Sequence, residues 1–153
     1  MPLAMTPQER DLFLAEVHVG IISIAEARRG PLTVPIWYAY EPGGDLRVVT
    51  DSNSRKKRLL ETAGRFSLCV QSEQSPYKYV SVEGPVLAIE PADLERDVRP
   101  LAHRYLGLEQ GDRYAEVTRG DRERAGSVLV RMRPERWLSV DYAKHPAAPR
   151  RST

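Results

Sequence analysis

The hydrophobic pattern changes period several times along the chain, and each change predicts an element. Residues 7–17 carry their apolar positions at Leu12, Phe13 and Leu14. Before them stand Thr6, Pro7 and Glu9, which fit an N-cap, a first-turn proline and the N3 acid of a capping box. A first helix is predicted there. Residues 17–25 (VHVGIISIA) are rich in β-branched side chains and predict a strand. A polar turn at Arg28, Arg29 and Gly30 leads to a second strand over residues 31–40 (PLTVPIWYAY). Pro35 cannot donate to a ladder, so that position is an edge, a bulge or a ligand-facing break. The run Glu41-Pro42-Gly43-Gly44-Asp45 is a strong turn signal, and residues 46–50 (LRVVT) predict a third strand. These three strands read as an antiparallel meander.

Residues 51–62 (DSNSRKKRLLET) begin polar and become helical, with Asp51, Ser52 and Ser54 as candidate caps and Gly64 as the stop. Residues 66–71 and 77–89 predict strands four and five. Residues 91–106 predict another helix, since Leu94, Val98, Leu101 and Tyr105 recur at helical spacing. Residues 107–120 are charged and give no clear element. Residues 127–132 predict a sixth strand, which residues 135–140 extend. Six antiparallel strands with short flanking helices point to a mainly β (α+β) fold, either a small β-barrel or an α+β domain. One domain is expected over residues 6–142, between an unstructured start at 1–5 and a disordered tail at 143–153.

Composition narrows the function classes. A chain of 153 residues is one domain, and 41% apolar with 29% charged residues is ordinary for a globular protein. No apolar run approaches the ~20 residues needed to cross a bilayer, and no leader pattern opens the chain. The single cysteine, Cys69, excludes an internal disulfide and fits a reducing cytoplasm. Three scattered histidines give no metal-ligand spacing. A net charge of +2 is weak support for nucleic-acid binding, and no aromatics interleave the one basic run. GxSxG, HExxH, CxxC and Walker A patterns are all missing.

The informative segment is residues 50–60. A strand gives way to a helix whose mouth carries Ser52, Ser54, Arg55, Lys56, Lys57 and Arg58. Backbone N–H groups, hydroxyls and cations converging at a helix start are what a phosphate needs. The other reading is a solvated basic face. Elsewhere the plain readings are structural: His18 as a satisfied strand histidine, His103 as a surface or interface residue, Cys69 as a small buried hydrophobe. Trp137 is expected at an interface, Glu83 beside an arginine, and Gly84 at a bulge or a close backbone approach. A lid over residues 107–124, with motion permitted by Gly107, Gly111 and Gly120, is an open alternative to a solvated face.

The order strand, turn, Pro35-Ile36-Trp37-Tyr38, turn, strand, Thr50-x-x-x-Ser54-Arg55-Lys56, helix, strand, then Tyr79-Val80-Ser81-Val82-Glu83-Gly84 resembles a known family. It is similar to the split β-barrel flavoproteins of the pyridoxamine 5′-phosphate oxidase-like superfamily, and most similar to the branch that binds the deazaflavin coenzyme F420. The resemblance narrows the fold to a six-stranded antiparallel split β-barrel with short flanking helices. It implies that Ser54, Arg55 and Lys56 hold the cofactor phosphate, with Thr50 and Ser52 adding donors. It implies that Pro35, Ile36 and Trp37 run along the cofactor ring, with Tyr38 and Tyr40 as further candidates to line a substrate pocket. It also implies a homodimer, in which Lys78 and Tyr79 reach a cofactor held mainly by the other subunit. The expected chemistry is hydride transfer between the deazaflavin and a small conjugated substrate, with FMN as the alternative cofactor. The stretch Arg133-Pro134-Glu135-Arg136-Trp137 resembles the short ending of the deazaflavin branch, so the vitamin oxidase reaction is not expected. A non-catalytic flavin- or haem-binding protein is the reading from another class.

Overall fold

The computed structural model describes residues 2–148. Helix α1 (Pro7–Ala15) opens with the expected capping box: Glu9 N donates to Thr6 Oγ1 at 3.2 Å and Thr6 N donates to Glu9 Oε1 at 3.0 Å. The strands are β1 (Gly20–Ile24), β2 (Leu32–Ile36), β3 (Tyr38–Ala39) and β4 (Leu46–Asp51). Helix α2 (Arg55–Ala63) and strands β5 (Arg65–Ser72) and β6 (Lys78–Pro91) follow. After a π-helical turn (Leu94–Val98) come helices α3 (Arg99–Leu106) and α4 (Leu108–Ala125). Strands β7 (Ser127–Met132) and β8 (Arg136–Asp141) complete the sheet.

All pairing is antiparallel, in the order β2-β1-β5-β6-β7-β4-β3, with β8 on β6. The two ends of that order, β2 and β3, are separated in sequence by Trp37 alone. The sheet therefore curls until its two ends meet at that residue, while β2 and β3 stay unpaired with each other and the barrel stays split. The 14-residue β6 serves both halves. Its first part pairs with β5 and β8, its second with β7, and a register shift between Val86 and Ala88 bends it. Gly84 stands where β6 meets the chain after β7. A Cβ there would sit 1.8 Å from the Arg133 carbonyl oxygen, so the close backbone approach anticipated at this glycine is present. Alternate residues of the strands face inward. Ile22, Leu46, Val48, Leu68, Val70, Val82 and Met132 are fully buried.

The expected fold class holds, with four differences. The sheet has eight strands instead of six. Expected strand two is β2 and β3, broken at Trp37, so the meander splits into two hairpins at opposite ends of the sheet. Residues 136–141 do not extend the sixth strand but return as β8 along β6. Of the unassigned residues 107–120, Gly107 caps the junction with α3 and the rest fall within the long helix α4.

The chain termini also depart from expectation. Met5 is buried and its N–H donates to Ser139 Oγ, while Asp141 N donates to Leu3 O. Lys144, in a 3₁₀ turn after β8, reaches Ala4 O and Glu9 Oε1. Leu3, Ala4 and Met5 are thus bonded to Asp141, Lys144 and Ser139, where residues 1–5 were expected to be unstructured. The Lys144 and Thr6 hydrogen bonds hold the Glu9 carboxyl down at about 2. Residues 1 and 149–153 lie outside the described residues.

Candidate active site

The break at Trp37 sets the geometry of the site. Successive strand residues face opposite ways, so Tyr38 and Tyr40 share one face and Trp37 takes the other. Tyr38 and Tyr40 are buried in the barrel core. The Tyr38 hydroxyl donates to Leu14 O at 2.6 Å, and burial pushes its pKa up. Trp37 points outward, against the helices. Its ring stacks on Tyr105 of α3 at 4.9 Å, nearly parallel, and meets Tyr114 of α4 at 5.4 Å, tilted by 51°. Tyr105 also repairs the break. Its hydroxyl oxygen accepts from Tyr38 N at 3.1 Å and its hydroxyl lies 2.6 Å from His18 O, to which it donates.

Beside Trp37 lies a cavity of about 340 Å³. Its barrel wall is Pro35, Ile36 and Trp37 at the end of β2, with Val49, Thr50 and Asp51 of β4. Lys56 of α2 stands on one side, and Tyr114 and Arg122 of α4 on another. Val98 and Leu101 add apolar surface. β2 has β1 as its partner and is an edge strand, which accommodates the missing N–H of Pro35.

Helix α2 distributes its charges unequally. Ser54 caps it, accepting from Lys57 N at 3.1 Å, and its hydroxyl lies 3.1 Å from that of buried Thr50. Gly64 closes it in the left-handed conformation. Arg55 is ion-paired with Glu26, Lys57 Nζ meets Glu61 at 2.7 Å, and Arg58 donates to Asn53 O at 3.0 Å. Lys56 lines the cavity and has no hydrogen-bond or ion-pair partner among the described residues. The four cations anticipated as one cluster are therefore three engaged side chains and one available ammonium.

Of the residues singled out from sequence, Pro35, Ile36, Trp37, Thr50 and Lys56 share one cavity. Ser54 is occupied by the cap. Ser52 N donates to Gly126 O at 3.2 Å, and neither Ser52 nor Arg55 lines the cavity. Lys78 and Tyr79 also lie outside it; Lys78 Nζ sits 5.3 Å above the Phe13 ring. Tyr38 and Tyr40 do not line it, because strand alternation turns them into the core. Val49, Tyr114 and Arg122 were missed. Arg122 donates to Tyr114 Oη at 3.0 Å and to Thr118 Oγ1 at 3.2 Å. Tyr114, Thr118 and Arg122 are spaced by four, a signal that becomes visible once residues 108–125 are taken as a helix. Gly111 is no hinge in this arrangement. A Cβ there would meet Ala102 C at 2.9 Å, so this glycine brings α3 and α4 together.

The remaining sequence candidates have structural partners. His18 lies 3.2 Å from Glu16 and beside the Phe13 ring, and His103 lies 2.6 Å from Asp112 of α4. Burial pushes the Cys69 thiol up. Trp137 packs against the core edge under the Arg10 guanidinium, 4.5 Å away. Glu83 has no arginine within ion-pair distance among the described residues. No group of three or more His, Cys, Asp or Glu side chains among those residues has metal-site geometry. No helix among them is long and apolar enough to cross a membrane.

The sequence profile of the pyridoxamine 5′-phosphate oxidase family matches residues 6–141, the whole sheet and every helix. The chain belongs to the pyridoxamine 5′-phosphate oxidase family. Solved structures agree on the fold. A conserved hypothetical protein from Mycobacterium tuberculosis superposes with a TM-score of 0.78 at 22% identity, covering 99% of this chain and 94% of that one. An F420 reductase gives 0.66 at 20% identity, covering 84% and 94%. A FAD-binding protein from Mesorhizobium loti gives 0.55 at 18% identity, covering 89% and 93%. No curated protein matches the chain. At these identities the solved members of the pyridoxamine 5′-phosphate oxidase family share the barrel with this chain, and its site must be argued from its own residues.

Proposed function

We propose that this chain is an F420-dependent oxidoreductase that transfers a hydride between the deazaflavin and a small conjugated organic substrate. The observation that carries the reading is the pairing of unpartnered Lys56 with the apolar wall Pro35-Ile36-Trp37 in one cavity. A flavin-type cofactor is a planar ring joined to a phosphate, and it needs an apolar slot with a cation at one end. A cavity of about 340 Å³ is at the lower end for a small-molecule site, enough for the ring portion of a ligand whose remainder extends outward. The likeness in fold to an F420 reductase supports the choice of deazaflavin over FMN.

The bound deazaflavin supplies the hydride. The chain's own residues bind and orient. Lys56 holds the phosphate by a charge-assisted contact, with the Thr50 hydroxyl near the same wall. Pro35, Ile36 and Val49 give one apolar surface and exclude water. The Trp37–Tyr105 stack holds the indole in place at the strand break. Tyr114 tethers Arg122, which brings a second cation to the cavity. In the same reading two copies form a homodimer, and Lys78 and Tyr79 serve the cavity of the second copy. Leu138, 54% exposed on the outer strand β8, is apolar surface that such an interface would cover.

Turnover is tested by mixing the protein with chemically reduced F420 and a panel of conjugated acceptors, while following the return of deazaflavin absorbance. Acceptor-dependent reoxidation above the protein-free rate is expected. Tight cofactor binding with no acceleration for any acceptor would replace the enzyme with a carrier.

A further inference from the structure

A second cavity, of about 450 Å³, shares Val49 and Leu101 in its lining with the first. It contains neither Lys56 nor Trp37. Its apolar part includes Ala39, Tyr40, Pro100 and Leu129, and three arginines enter it: Arg47, Arg96 and Arg104. Two carboxylates accompany them. Arg96 is chelated by Asp97 at 2.8 and 3.0 Å, and Arg47 Nη2 donates to Glu41 at 3.1 Å. Arg104 has no carboxylate partner among the described residues. Its Nη atoms donate to Ala15 O and Glu16 O at the end of α1, and its guanidinium lies 5.2 Å above the Tyr38 ring. Three guanidiniums against two carboxylates leave one positive charge uncompensated. The Nε atoms of Arg47 and Arg104, like that of Arg10 outside the cavity, are buried with no hydrogen-bond partner among the described residues, so a ligand in the cavity would meet the outer Nη edges of these guanidiniums.

We propose that this cavity binds a small monocarboxylate with an apolar or aromatic body, separately from the cofactor cavity. One net positive charge matches one carboxylate. Planar guanidinium donors match planar carboxylate oxygens. The apolar surface matches a hydrocarbon body. The arginines are also pre-set: Arg104 is fixed by two carbonyls, Arg96 and Arg47 by their acids, so little side-chain freedom is lost on binding. The proposal does not depend on the identity of the cofactor.

Sodium benzoate is a suitable probe, with benzyl alcohol as its uncharged counterpart. Arginine Nε–H signals are followed by ¹⁵N–¹H correlation spectroscopy and assigned with Arg47→Gln and Arg104→Lys. Benzoate is expected to move the Arg47 and Arg104 signals saturably, and benzyl alcohol is not. Arg47→Gln is expected to weaken benzoate binding about tenfold or more. Lys56→Ala, in the other cavity, is expected to leave it within about twofold. Arg104 also holds the end of α1, so Arg47→Gln decides the matter if Arg104→Lys does not fold. The proposal is overturned by absence of saturation, by equal binding of benzyl alcohol, or by inorganic phosphate saturating the same signals more tightly. It is also overturned if Lys56→Ala removes benzoate binding, which would put the probe in the cofactor cavity.

Discussion

Helices α2 and α4 wall the same cavity from different sides and each contributes one cation, but they are built in different ways. Helix α2 is short and closed at both ends, by the Ser54 cap and by left-handed Gly64. Leu60 anchors it in the core with Leu59 and Ala63 alongside, its ends are closed within the helix, and Lys56 is left with no partner among the described residues. Helix α4 is twice as long and has no side-chain cap at its start. Its position comes from α3: Arg99 bridges Glu95, Asp112 and Glu116, His103 meets Asp112, and Gly111 allows the helices to touch. Its cation, Arg122, is already bonded to Tyr114 and Thr118. The difference separates two tasks. A cation that must take up an incoming phosphate is best left unpaired on a helix closed at both ends. A cation that shapes a wall is best tied to its own helix, on an element held by a neighbour.

The largest expected effect comes from removing the unpaired cation. Lys56→Ala should cost about 1.5–3 kcal/mol of cofactor binding, roughly ten- to a hundredfold in affinity, with little change in thermal stability. Equal affinity in the variant would remove the phosphate assignment. Next comes the joint beneath α4. Gly111→Val puts side-chain atoms into the α3 backbone and should cost about 1–3 kcal/mol of stability, read by denaturant unfolding. It should also red-shift Trp37 emission in a Trp137→Phe background, as Tyr105 and Tyr114 part from the indole. A stable variant with unchanged emission would show that the helix pair does not hold Trp37. Third is the end of α2. Ser54→Ala should cost about 1 kcal/mol and lower Tm by about 2–4 °C, leaving Trp37 emission as it was.

The smallest effect concerns pH. The Arg119 and Arg99 hydrogen bonds hold the Glu116 carboxyl down at about 2, and those of His103 and Arg99 hold Asp112 below its ordinary value. A carboxyl depressed in the folded state contributes stability above its unfolded pKa and loses it as pH falls through the folded one. The α3–α4 joint should therefore loosen as pH falls from about 4.5 toward about 2. Both carboxyls are solvent-exposed, so the change is modest and weakens in salt. Hydrogen exchange over residues 99–125 would detect it as faster exchange than in β5 and β6. Uniform protection across that range would contradict the role given to these pairs.

The barrel was legible in the sequence because period-two alternation and turn residues mark strands locally. So was the α2 mouth, where Ser54, Lys56 and Gly64 each carry a short-range signal. Two kinds of feature were not legible. The strand break falls at Trp37, two residues after the Pro35 that signalled it, and it is completed by Tyr105, 67 positions away in the chain for Tyr38. Helix α4 was hidden because its exposed face is charged, its buried positions are the small residues Gly111 and Ala115, and nothing apolar outlines the contact. The candidate site divides in the same way. Thr50 and Lys56 lie in the strand-to-helix segment that local pattern marked, and Pro35, Ile36 and Trp37 were named through the family resemblance, while Tyr114 and Arg122 depend on a helix that only its neighbour makes sense of. Ser54 and Arg55, also named in the strand-to-helix segment, have protein partners that short-range pattern does not reveal: the helix cap and the Glu26 pair.

The account's central claim is that the cavity at Lys56 and Trp37 holds a deazaflavin. The most direct measurement is a fluorescence titration of the purified protein with coenzyme F420 and, separately, with FMN. Saturable binding of F420, tighter than that of FMN, is the predicted result. Binding of FMN alone, or of neither cofactor, would contradict it.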